Sequence, residues 1–205
     1  SIKKMVLYMA ALVLVLASGL WMAKPVYRAY KRWTGERSLT QAVAFMEKTD
    51  YRNASLAARK VLSWLPTSVG ATRIMAQLAE LGGLPDAIKW RERLVELEPT
   101  VVSNKLDLAR VALALRNPFL AQLTLQGIAE TNRNPSEYHQ IFAMLDVSIG
   151  RLPEAEKHLA EASKIEPDNK LLQLNLAVLH LQSEDAAIAG AAEKKLLELA
   201  EEPKT

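Results

Sequence analysis

The chain opens on a stretch with no polar face and then changes character. Met5 to Ala23 reads MVLYMAALVLVLASGLWMA, 19 residues without a formal charge. Beyond Lys24, apolar and charged positions interleave with the three-to-four-residue period of amphipathic helices. At about 1.5 Å per residue, a helix of the first kind spans roughly the ~30 Å of bilayer hydrocarbon. Residues 1–23 therefore predict an N-terminal transmembrane anchor. Tyr8 and Trp21 stand towards its two ends, where amphipathic rings favour the interface, with Lys3 and Lys4 closing one end and Lys24 the other. A buried core helix fits poorly, because such a helix keeps a polar side. Ala17-Ser18-Gly19 resembles a small-residue processing site, so a cleaved leader competes; the expectation is a retained, single-pass anchor.

Residues 24–34 form a short basic and aromatic segment. Pro25 suits the first turn of a new helix or a kink. Val26, Tyr30 and Trp33 share one helical face, with Arg28, Lys31 and Arg32 turned elsewhere. Lys24, Tyr27, Arg28, Tyr30, Lys31, Arg32 and Trp33 are the candidate membrane-interface residues, since each basic group near an anionic leaflet adds about 1 kcal/mol. A plain helical linker into the body is the competing reading. Two Lys precede the anchor and four basic residues follow it within ten positions, so the positive-inside bias favours a body on the cytoplasmic side of the inner membrane. The periplasmic side is the alternative.

In the body, small residues return at a fixed interval. Ala54, Ala87, Ala121 and Ala155 are spaced 33, 34 and 34 apart, each after a turn rich in Gly, Pro, Asn or Asp. Ala42, Met75, Ala109, Ala143 and Ala177 follow at 33, 34, 34 and 34. Pro66, Pro99, Pro135 and Pro167, spaced 33, 36 and 32, each end a helical run. A repeated pair of antiparallel helices explains all three series. The helices can approach closely only where a small side chain allows it, and a Pro closes the second helix of each pair. Pro85, Pro118 and Pro153 sit where a first-turn Pro costs nothing.

These residues resemble the tetratricopeptide repeat family. The fourth repeat carries Ile149-Gly150-Arg151-Leu152-Pro153-Glu154-Ala155 at its inner turn and closes on Ile165-Glu166-Pro167. The second carries Leu81-Gly82-Gly83-Leu84-Pro85-Asp86-Ala87 and Leu97-Glu98-Pro99; the first, Asp50-Tyr51-Arg52-Asn53-Ala54 and Trp64-Leu65-Pro66. The third departs most, with Arg116 where Gly is usual and two extra residues before Pro135. The resemblance covers residues 35–203 and implies an all-α architecture: a transmembrane helix, then a TPR-like α-solenoid of four repeats near 35–68, 68–101, 102–135 and 136–169. A closing helix pair follows at about 170–182 and 186–201. It also implies a concave surface lined by the first helices. On this chain that surface carries Leu39, Val43 and Met46, then Thr72, Ala76 and Ala79, then Leu106, Arg110 and Leu113. Gln140, Met144 and Val147 continue it, with Leu174, Val178 and Leu181 on the last pair. Such a lining is mostly apolar, with one Arg. Gripping a terminal carboxylate takes several charged donors, so a partner helix or peptide bound through apolar anchors is the expectation.

Composition narrows the rest. The pI of about 9.1 suggests nucleic acid until the charge is located. Seven of the 26 basic residues and one of the 23 acidic ones lie before Ser38, leaving the body at 19 against 22, a net −3. A phosphate backbone needs a basic track on the folded domain, so no nucleic-acid partner is expected. The absence of Cys removes disulfides and thiolate chemistry. His139, His158 and His180 lack metal-ligand spacing, and Gly82-Gly83 reads as a turn rather than a phosphate loop. Asn53-Ala54-Ser55 matches a glycosylation sequon inside the repeat. No catalytic, metal or cofactor site and no small-molecule substrate is expected, and the chain is read as a non-enzyme. The expected function is a membrane-tethered scaffold, an accessory or assembly subunit of a membrane complex, with integral membrane proteins and lipids as partners. A regulatory adaptor for an envelope process such as lipid or polysaccharide synthesis or secretion is the alternative.

Overall fold

The computed structural model describes residues 2–133, 136–183 and 185–201, and within the first helix the side chains of Met9, Ala23 and residues 25–47. All regular structure among these residues is helical, in two compact units, Ser1–Gly82 and Gly83–Thr205. The boundary falls in the Gly82-Gly83 turn, inside the expected repeat domain 35–203.

The first unit holds α1 (Ile2–Glu47), α2 (Tyr51–Trp64) and α3 (Val69–Leu81). α1 runs unbroken for 46 residues, with Pro25 in its interior. Of the two readings of Pro25, a helix start or a kink, the start is not seen: a Pro withholds one N–H and crowds the carbonyl four residues back, and here the helix continues past it, as the linker reading of 24–34 has it. Of the expected anchor, Met5–Ala23, only the side chains of Met9 and Ala23 are described; the others, with those of Lys3, Lys4 and Lys24, lie outside the described ones. Among the described residues no helix is long and apolar enough to cross a membrane. α1 packs on α2 and also touches α3. Gly35 is buried at the first of these contacts, where a Cβ would collide with Leu65.

The second unit holds α4 (Asp86–Leu97), α5 (Val102–Ala114), α6 (Pro118–Gln126), α7 (Ser136–Ser148), α8 (Leu152–Ile165), α9 (Lys170–His180) and α10 (Ala186–Glu201). Each helix packs on the next except that α5 also reaches α7, so that one hairpin stacks on another. Leu106, Ala109, Leu125, Ile141 and Leu145 are buried in one cluster; Ala143, Ala155, Leu159, Ala162 and Leu172 form a second.

Both small-residue series are buried throughout: Ala54, Ala87, Ala121 and Ala155, and Ala42, Met75, Ala109, Ala143 and Ala177. The Pro series acts through the residue before it. Leu65, Glu98 and Glu166 cap α2, α4 and α8 with φ of −129°, −132° and −127° and ψ of 79°, 66° and 71°, outside the helical region that a following Pro disfavours. Pro135 lies outside the described residues.

The inner turns share one geometry. α1 ends with Thr49 N–H donating to the Met46 carbonyl (3.0 Å) and Asp50 N–H to Phe45 (2.9 Å). Arg116 and Asn117 do the same at the end of α5, and Gly150 and Arg151 at the end of α7. These are Schellman closures, which put one residue in the left-handed region: Thr49, Arg116 and Gly150, at φ 56°, 57° and 77°. Asp50 and Asn117 then cap the next helix, accepting from Asn53 and Leu120 N–H.

The third repeat's extra residues have a structural cause. α6 stops after nine residues and the chain takes a 3₁₀ turn at Glu130–Asn132. The freed carbonyls are met by cations: Arg133 donates to Ile128 (2.9 Å) and Gln126 (3.2 Å), and Lys105 to Gly127 (3.0 Å).

Candidate functional site

The expected inner-facing residues divide into buried and open ones. In the first unit, Thr72, Ala76 and Ala79 are buried, and the Thr72 hydroxyl is spent on the Ser68 carbonyl at 2.8 Å. Leu39 is half-buried and lies against Gly70, Met46 is half-buried, and Val43 is exposed. In the second unit, Leu106 is 2% exposed and belongs to the α5–α6–α7 core, with Leu113 packed against it. Leu106 therefore serves packing, and so do the small residues of α3. Gln140 is half-buried and donates to the Ser136 hydroxyl.

Two helices keep an open apolar face. Met144 and Val147 on α7 are each 49% exposed. Leu174, Val178 and Leu181, on α9 and its C-cap, are 39%, 46% and 44% exposed. Leu171 extends this row at 58%, giving steps of three, four and three. That is the seam spacing along which one helix accepts another. Leu171 lies outside the lining implied by the family resemblance, though its place in the step pattern points to it.

Arg110 is not an open cation. Its guanidinium pairs with Asp107 at 2.7 Å, one turn back on α5, and with Glu137 on α7. Asp107 in turn takes Arg91 of α4 at 2.8 Å, and the Arg91 side chain is only 8% exposed. The result is a chain of four alternating charges across α4, α5 and α7. The single Arg of the expected lining is thus already neutralised, which leaves a free carboxylate nothing to bind there.

Around 24–34, Tyr27, Tyr30 and Trp33 are exposed. Tyr30 meets Trp64 of α2 edge-on at 6.1 Å, so part of this segment packs as a linker would. Lys31 lies 5.1 Å from the centre of the Tyr27 ring and Arg37 5.7 Å from that of Trp33, within cation–π reach. Arg28 and Arg32 are exposed on the same helix.

His139 and His158, on the two helices of one pair, meet between α7 and α8. His139 Nδ1 and His158 Nδ1 are 3.2 Å apart. The His158 ring stacks on Phe142 at 4.6 Å, and its Nε2 lies 3.9 Å from a carboxylate oxygen of buried Asp146. Burial holds both imidazoles below the ordinary histidine range; the charge of His158 adds to this for His139, while Asp146 and Glu161 oppose it for His158. Burial pushes the Asp146 carboxyl up. Among the described residues no three His, Cys, Asp or Glu side chains stand together as a metal site.

No protein-family model matches the sequence, and no curated protein matches it either. Solved structures do. A crystal structure of MamA superposes with a TM-score of 0.67 at 20% identity, covering 82% of this chain and 91% of that one. MamA residues 41 to the end from Desulfovibrio magneticus RS-1 reach 0.74 at 12% identity, over 84% and 98%. YrrB, described as a TPR protein with an unusual peptide-binding site, gives 0.63 at 20% identity, over 79% and 84%. The fold is that of tetratricopeptide repeat proteins.

Proposed function

We propose that this chain is a protein-interaction scaffold, tethered to the inner membrane by Met5–Ala23, that serves as an accessory or assembly subunit of a membrane protein complex. The observation that carries it is the open row Leu171, Leu174, Val178 and Leu181 on α9, with Met144 and Val147 exposed on α7. Apolar side chains repeated at seam spacing gain about 25 cal/mol per Å² when a partner helix covers them, and among the described residues these stay between 39% and 58% exposed. Peptide binding by YrrB, a protein of the same fold, supports the reading. The basic excess after the anchor, four residues against two, supports repeats on the cytoplasmic side.

The test is co-purification from gently solubilised membranes, comparing the full chain with Leu174→Asp/Val178→Asp. Both positions are exposed, so the thermal melt should be unchanged while the partner is lost. A solitary monomer, or a partner retained at full yield by the double variant, would sink the proposal.

A further inference from the structure

We propose that His139 and His158 form a proton-operated latch on the α7–α8 hairpin, which bonds the two helices while the pair carries at most one positive charge and releases them when acid supplies the second. The geometry requires the first half of this. Two Nδ1 atoms 3.2 Å apart can share one proton, one nitrogen donating and the other accepting. With both rings fully protonated, both nitrogens are donors and two cations face each other without solvent between them. The bond becomes a repulsion.

The surroundings decide whether other charges would absorb it. On α7, Asp146 is the nearest carboxylate, on the far nitrogen of His158 rather than between the rings. Tyr138 meets the His139 ring edge-on at 5.5 Å. On α8, Glu161 faces the pair but is exposed and held by Lys164 at 2.6 Å, while Glu154 and Arg151 act on Asp146 in opposite senses. On α5, Arg110 is tied to Glu137. On α9, His180 is tied to Glu156 at 2.9 Å. Arg133, beside Tyr138, is spent on carbonyls at the end of α6. No charge is therefore placed between the rings to offset a second proton.

The sign follows from the direction of the shifts. Both imidazoles lie below their unfolded value of about 6.5, so the folded hairpin prefers them neutral. Their contribution is complete above about pH 6.5 and is lost as pH falls through and below it. Asp146 works the other way, since its raised carboxyl takes up a proton more readily in the fold than in the unfolded chain; the double-histidine variant below separates the two contributions.

The experiment is amide hydrogen exchange on the full chain at pH 7.5 and 5.0, corrected for the intrinsic pH dependence. α7 and α8 should lose severalfold in protection, while α5 keeps its own. His139→Gln/His158→Gln should abolish the difference and His180→Gln should leave it intact. Equal protection at both pH values, or the same acid loss in the double variant, would overturn the latch. Should that variant fail to fold, ring titration by NMR in the unaltered chain decides: one imidazole resisting its second proton well below pH 6 supports the latch, and two ordinary titrations refute it. Neither readout involves a partner, so the latch and the scaffold reading fail separately.

Discussion

The left-handed turn residues show what a single position costs. Thr49, Gly83, Arg116 and Gly150 occupy equivalent places at the ends of first helices, all with positive φ. Gly adopts this conformation freely, whereas a side chain there costs about 1–2 kcal/mol, more for a β-branched one. Nothing crowds Gly83 or Gly150, since a Cβ at either would meet no atom within 4 Å, so the penalty is one of backbone alone. Thr49→Gly should therefore stabilise the chain by about 0.5–1 kcal/mol after the greater chain entropy of Gly is deducted. Gly150→Ala should destabilise it by about 1 kcal/mol. Urea unfolding of the pair of variants reads both signs, and a Thr49→Gly variant less stable than its parent would refute the assignment of strain. Arg116 stands out in the sequence as a departure from Gly; Thr49 does not, because Thr beside Asp already looks like an ordinary turn.

At the level of elements, helix order and most boundaries were legible, because small residues and Pro act locally and recur. Three features were not. The pairs Arg91–Asp107 and Arg110–Glu137 are 16 and 27 residues apart, and no spacing rule links charges at that distance. The same holds for His139 and His158, 19 apart. The early end of α6 also escaped, since its cause lies in the cations Arg133 and Lys105 that satisfy its last carbonyls. Asp107 is the joint of the charge chain, which makes it the place to test helix-to-helix coupling. Asp107→Asn would take one carboxylate from the guanidinium of buried Arg91. The usual cost of breaking a buried pair, 3–5 kcal/mol, is reduced here to about 2 kcal/mol because Asp107 itself is partly exposed. A fall in Tm together with a loss of exchange protection in both α4 and α5 is the expected outcome. Unchanged stability would mean the pair is ornamental.

For the whole molecule, the repeat period announced the architecture while the open surface stayed hidden in it. Of the residues read as inner-facing, Leu106 went to the core and Arg110 to ion pairs, whereas Met144, Val147, Leu174, Val178 and Leu181 stayed open. Periodicity tells which residues share a side of a helix; it does not tell which neighbouring helix will close over them. The segment 24–34 was read as a separate piece because Pro25 and a cluster of charges mark a boundary in most chains. Instead α1 passes straight through it.

That continuity turns α1 into a rotary shaft. An α-helix advances about 100° per residue, so one residue inserted between Pro25 and Gly35 should swing α2 and α3 around the axis by that angle while raising them only about 1.5 Å. Seven inserted residues return nearly to the original azimuth, about 20° away. Spin-label distances from residues near the start of α1 to α2 should track this phase, and an insertion absorbed locally, leaving the azimuth unchanged, would show that the shaft bends at Pro25. If one face of the repeats must meet a membrane partner, then function should fail at one inserted residue and recover at seven.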